Sequence, residues 1–262
     1  MNKALMIGCA MFFGFQTVQC RASWKELLET RVHRGENEAV LPYRLMKPER
    51  VESDKRYPLV LFLHGAGERG NDNDRQLVHC AAEFAKDENR RKYPCFFVAP
   101  QCPAGKSWAE LDWKQMKLIT RDEPTEPLRL ALDLVDKLAA ELPVDPRRIY
   151  VTGLSMGGFG TWDAAARRPG FFAAAVPICG GGDLDRAAKL KDMPIWAFHG
   201  DADPVVPLAQ TTTMIEAIRK AGGEPKMTIY PGVGHNSWAD AYADPELSAW
   251  LFSKIKPVEK SE

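Results

Sequence analysis

Twelve residues constrain this chain more than any others: Ile149-Tyr150-Val151-Thr152-Gly153-Leu154-Ser155-Met156-Gly157-Gly158-Phe159-Gly160. The pattern predicts a buried strand, a sharp turn carrying one serine, and a helix that starts at once, with Ser155 pushed out above the sheet. Glycine is required at Gly153 and Gly157 because the turn brings backbone segments so close that a Cβ at either flank would collide with a neighbouring strand or helix. On its own the five-residue pattern recurs in glycine-rich loops, so the rest of the chain decides what it means.

That context is a strict rhythm. Ala39 to Met46 alternates like an edge strand, and Pro58 to Leu63 is continuously apolar, as in a strand covered on both faces. Further strands are expected at Cys95–Ala99, Phe172–Ile178, Pro194–Phe198 and Lys226–Tyr230. Helices are expected at Gln76–Ala85, Leu128–Leu142, Phe159–Arg168, Leu208–Ala221 and Pro245–Ile255. Trp24 to Gly35 reads as a short helix or loose lead-in. Strand and helix alternate throughout, which predicts the α/β class: a mostly parallel, doubly wound sheet with helices on both faces. Only Gln101 to Pro127 breaks the rhythm, an insertion rich in Pro, Gly and charge that holds Trp108 and Trp113; connections of this length are usually functional.

A chain of 262 residues is long enough for one large core. Lys+Arg and Asp+Glu are equal at 35 each, so charge gives no reason to expect nucleic acid or an anionic membrane as partner. Met1-Asn2-Lys3, an apolar run from Ala4 to Phe15 and the small residue Ala22 describe a signal peptide over residues 1–22, cleaved after Ala22. Residues 23–262 then form one domain, secreted or periplasmic. The apolar run is shorter than the roughly 20 residues of a membrane span, and Gln19 is the wrong neighbour for a lipidated Cys20. Cys80, Cys95, Cys102 and Cys179 remain; they permit three disulfide pairings or stay as buried thiols, and the sequence does not choose. No Cys-x-x-Cys motif or histidine–carboxylate spacing predicts a metal. No cofactor motif is met either, since His64-Gly65-Ala66-Gly67-Glu68-Arg69-Gly70 lacks the Gly-Lys-Ser/Thr of a phosphate loop.

A serine hydroxyl needs a base to take its proton and a carboxylate to orient that base. With the serine on a strand-to-helix turn, acid and histidine should follow in that order. His235 fills the base position in a Gly-x-Gly-His turn after the last strand, while Asp183, Asp201 and Asp203 compete for the acid. His64 and His199, each before a glycine at a strand end, read as turn-forming residues whose rings tie loops together. An oxyanion forming on a substrate carbonyl would need backbone donors, namely the N–H of Met156 and, from the early glycine-rich loop, that of Ala66.

These residues resemble the α/β-hydrolase superfamily. More narrowly, they are similar to secreted esterases grouped with predicted peptidases, feruloyl and acetylxylan esterases and polyhydroxybutyrate depolymerases. The resemblance rests on Leu63 to Gly70, on Ala99-Pro100-Gln101-Cys102-Pro103 with Trp108 after it, and on the elbow. It continues in His199-Gly200-Asp201-Ala202-Asp203-Pro204-Val205-Val206-Pro207 and Gly234-His235. It implies a catalytic triad of Ser155, Asp203 and His235, and it favours Asp203 among the three aspartates. It implies a serine carboxylic-ester hydrolase without cofactor or metal, working through an acyl-enzyme on a small-molecule or polysaccharide ester. Prolyl-peptidase relatives carry a propeller domain that residues 1–38 are too few to supply, so an open site is expected, with Trp108 and Trp238 stacking on a sugar or aromatic group. Two other readings share these residues: a peptidase of small substrates, and a carbohydrate-binding protein that keeps the fold without turnover.

Overall fold

The continuously apolar stretches become the middle of one sheet in a computed structural model that describes residues 23–257. The expected signal peptide lies outside the described residues. In chain order the strands are β1 (Leu28–Arg34), β2 (Val40–Met46), β3 (Tyr57–Leu63), β4 (Phe96–Pro100), β5 (Leu111–Asp112), β6 (Lys117–Leu118), β7 (Val144–Leu154), β8 (Ala174–Ile178), β9 (Trp196–Gly200) and β10 (Lys226–Tyr230). The helices are α1 (Ala81–Ala85), α2 (Asp87–Lys92), α3 (Glu126–Glu141), α4 (Met156–Arg167), α5 (Ala209–Lys220), α6 (Trp238–Ala243) and α7 (Pro245–Ser253). Eight strands form a sheet in the order β1-β2-β4-β3-β7-β8-β9-β10, and β5 and β6 pair separately. The β1/β2 and β2/β4 pairs are antiparallel. From β4 to β10 every pair is parallel.

The pleat of β3 explains the two-sided core. Side chains alternate along a strand, so Leu59, Leu61 and Leu63 enter one apolar cluster with α3, α4 and α5. Val60 and Phe62 enter the other with α1, α6 and α7. Each such fully buried side chain contributes about 1.5–3 kcal/mol. Because β7, β9 and β10 run parallel, the turns after them emerge on one edge of the sheet.

Several elements differ from expectation. Residues 24–35 hold a short 3-10 turn and then β1, which pairs all seven of its residues with β2 and takes the sheet edge expected for 39–46. Its Glu29, Thr30, Arg31, His33 and Arg34 are polar and leave only Leu28 and Val32 as apolar signal, so its partner makes it a strand. The helix expected over 76–85 breaks at Cys80, whose φ of 64° is left-handed. Helix α3 starts before Leu128, because Thr125 caps it by accepting from the Leu128 N–H and Pro127 fits its first turn. All four cysteines among the described residues are free and buried, so the disulfide alternative is not realised there.

Candidate active site

Ser155 alone separates β7 from α4, with φ 53° and ψ −118°. A non-glycine residue in such a conformation costs about 1–3 kcal/mol and persists only where its surroundings hold it. Here the Ser155 N–H donates to the Ile178 carbonyl at 2.9 Å and the Phe159 N–H to the Ser155 carbonyl at 3.0 Å. The flanking glycines are steric necessities, as expected: a Cβ on Gly157 would strike the Leu63 carbonyl, and one on Gly153 the carbonyls of Gly157 and Leu63.

The Ser155 hydroxyl donates to His235 Nε2 at 2.9 Å, and His235 Nδ1 donates to Asp203 Oδ2 at 2.7 Å. That direction follows from chemistry, since an ionised carboxylate only accepts and so fixes the proton on Nδ1. Asp203 is held in turn. Its side chain is fully buried, Oδ1 accepts from the N–H groups of Val205 (2.8 Å) and Val206 (2.9 Å), and Oδ2 lies 3.3 Å from His199 Nε2. The competing aspartates are engaged elsewhere. Asp201 is exposed and accepts from the Gly232 N–H at 2.6 Å, and Asp183 caps the 3-10 turn Leu184–Leu190.

The loop after β3 is built around His64. Its buried ring donates from Nδ1 to the Gly65 carbonyl at 2.6 Å and accepts the Cys102 N–H at Nε2, 2.9 Å away. These partners leave room only for the neutral ring, and burial pushes its pKa from 6.5 to about 4. The Gly65 carbonyl and Ala66 N–H belong to one trans peptide, in which they point in opposite directions. Tying the carbonyl inward to His64 therefore aims the Ala66 N–H the other way. Arg69 Nε anchors the same turn by donating to the Ala66 carbonyl at 2.8 Å. The other expected donor, the Met156 N–H, opens α4 and has no carbonyl within its helix to meet.

The expected binding role of Trp108 is not realised. Its ring is fully buried, packs edge-on against His64 and donates from Nε1 to the His64 carbonyl at 3.0 Å. It supports the loop from behind, because an indole with its N–H satisfied inside the core has no face left for a ligand. Trp238 does border the site, half-buried with its ring perpendicular to that of His235 at 5.2 Å and against His79 on another side. His199 ties loops together as expected, through Val206 and Thr211. The sulfur of Cys179 lies within 4.8 Å of ligand atoms of Asp203 and His235. Burial pushes that thiol up, and the other two groups are committed to each other. Sequence reasoning missed Arg69 and Gln101; the latter donates to the Glu68 carbonyl at 3.1 Å and accepts the Asn73 N–H at 2.7 Å. Both stand inside motifs that carry the family resemblance, beside strand ends, but nothing in the motifs assigned either side chain a role.

Comparison with known proteins places these features in a family. The sequence pattern of the dienelactone hydrolase family matches residues 99–249. The solved structure of a thermostable esterase superposes with a TM-score of 0.83 at 38% identity, covering 89% of this chain and 64% of that one. Poly(3-hydroxyalkanoate) depolymerase C of Paucimonas lemoignei is 35% identical over 125 residues, 47% of this chain and 28% of its own length. Acyl-protein thioesterase 1 of Neurospora crassa is 26% identical over 200 residues, 68% of this chain and 80% of that protein. The chain thus spans less than a third of the depolymerase and under two thirds of the esterase structure.

Proposed function

This chain belongs to the dienelactone hydrolase family, and from that premise we propose that it is a hydrolase, specifically a serine carboxylic-ester hydrolase with Ser155 as nucleophile. The observation that carries the reading is the unbroken hydrogen-bond relay from Ser155 through His235 to Asp203. Ser155 Oγ attacks the ester carbonyl carbon while its proton passes to His235 Nε2, and the buried Asp203 carboxylate stabilises the imidazolium. The N–H groups of Met156 and Ala66 receive the carbonyl oxygen as it becomes an oxyanion; one such donor is typically worth about 3–4 kcal/mol in the transition state. When the tetrahedral adduct collapses, the C–O bond breaks and the alcohol leaves with the proton from His235. Water then attacks the acyl-enzyme, gives its proton to His235, and releases the acid as Ser155 regains its hydrogen.

The substrate class in this reading is a short-acyl or bulky ester, carbohydrate-linked or otherwise polymer-borne, met outside the cytoplasm. The likeness to a polyester depolymerase supports a polymer-borne ester, and the leader pattern of residues 1–22 supports an exported location. The test is hydrolysis of p-nitrophenyl acetate and butyrate, with the matching p-nitroanilides alongside. Ser155→Ala should lower kcat by about 10⁴-fold or more on the esters. Equal ester hydrolysis by the two proteins would refute the assignment, and faster anilide than ester turnover would redirect it to a peptidase.

A further inference from the structure

The insertion predicted at 101–127 is an ordered wall. Asp112 Oδ1 accepts from the N–H groups of Lys114 (2.9 Å) and Gln115 (3.2 Å), which fixes the turn between β5 and β6. Leu111 and Leu118 pack with Phe159 and Val206 in a small separate core. Phe159 lies one turn beyond Ser155 on α4, and Val206 donates its N–H to Asp203, so the hairpin rests on both the nucleophile helix and the acid loop. Arg167 secures the chain beyond it, donating to the carbonyls of Arg121, Asp122 and Glu123 at 2.7–3.2 Å.

At the tip of this wall Trp113 is 46% exposed, whereas Trp108, Trp162 and Trp196 are at most 2% exposed. Its ring lies 5.8 Å from the guanidinium carbon of Arg69. Arg69 is the residue whose Nε holds the Ala66 carbonyl, and its Nη1 donates to the Lys106 carbonyl at 3.3 Å. An exposed indole is thereby fixed, through one arginine, beside the loop that carries an expected oxyanion donor. Exposing an indole sacrifices apolar burial worth about 1.5–3 kcal/mol, and an anchored hairpin presents it without further ordering cost.

Resting on the ester-hydrolase reading and deepening it, we propose that Trp113 and Arg69 form a ring-binding subsite. Its ligand is an acyl or alcohol group containing a six-membered ring, aryl or pyranose, that presents one face to the indole and carries an acceptor oxygen. The ring stacks on the indole, and the guanidinium donates to the oxygen.

The test measures binding of reaction-product mimics, so it does not depend on turnover. Ligand-observed NMR titrations of the full chain would use 4-hydroxybenzoate for an aryl ring, methyl β-xylopyranoside for a sugar ring and butyrate as the ligand without a ring. Removal of one stacking partner should weaken ring binding about fivefold in Trp113→Ala. Trp113→Phe should retain most of it, and butyrate should bind all three proteins alike. Whichever ring responds identifies the substrate class. Ring ligands that bind Trp113→Ala as tightly as wild type, or that bind neither protein, would overturn the subsite. An equal loss for butyrate would reassign Trp113 to hairpin structure. Failure of the hydrolase reading is separate and would appear as Ser155 left unlabelled by a fluorophosphonate.

Discussion

Asp201 and Asp203 stand two residues apart in one loop, and composition cannot rank them. Geometry does: Asp203 is buried, receives three donors and faces His235, whereas Asp201 is exposed and holds a loop N–H. Asp203→Asn should lower kcat by about 10⁴-fold by presenting the wrong partner to His235 Nδ1, by analogy with the same change in serine proteases. Asp201→Asn keeps an acceptor for Gly232 and should change kcat by less than about threefold. Comparable losses in the two variants, measured on p-nitrophenyl butyrate, would undo the assignment. At this scale the sequence supplied residue types and chain order. Residue exposure was not legible, which is why Trp108 was assigned to a ligand and proved to be buried, while Trp113, five residues on, is the exposed one.

At the scale of elements, strands buried on both faces were legible because a continuous apolar run has few other uses. β10 has the bounds expected for it, and β3 and β4 lie within a residue of theirs. β1 and α6 were not legible. One is a strand by virtue of its partner, and the other is six residues of mixed polarity docked beside β9. The elbow is the element with least freedom, and Gly157→Ala tests it. The new Cβ would meet the backbone of Leu63 and His64, which cannot rotate away, so destabilisation of at least about 3 kcal/mol is expected. In a chain of this size that lowers Tm by roughly 6–12 °C. Gly67→Ala, where a Cβ meets nothing within 4 Å, serves as the thermal-melt control and should stay within about 1 kcal/mol. Equal melting of the two variants would mean that the elbow relaxes more easily than its contacts indicate.

Stability of the whole molecule against acid carries the signature of His64. Folded, its pKa is about 4 against an ordinary 6.5. Between those values the unfolded chain binds a proton that the folded chain refuses, so stability falls as pH drops from 6.5 to 4 and is fully present above 6.5. The slope approaches 1.4 kcal/mol per pH unit, about 3 kcal/mol over the window. His199, also lowered by burial, acts in the same direction. Urea unfolding from pH 7 to 4 should therefore show His64→Asn losing less stability on acidification than wild type, although it starts lower for want of its hydrogen bonds. Parallel pH dependences would contradict a neutral, buried His64.

The sequence by itself determined the α/β alternation, the serine on its turn, and the order of acid and histidine. Local patterns of burial and backbone sterics are written in neighbouring residues. Tertiary structure decided which aspartate faces His235, which tryptophan is exposed, that the four cysteines among the described residues are buried without disulfide partners, and that Arg69 joins the oxyanion loop to the hairpin. Each of those outcomes depends on a distance between residues far apart in the chain, set by the packing of helices and loops around the sheet.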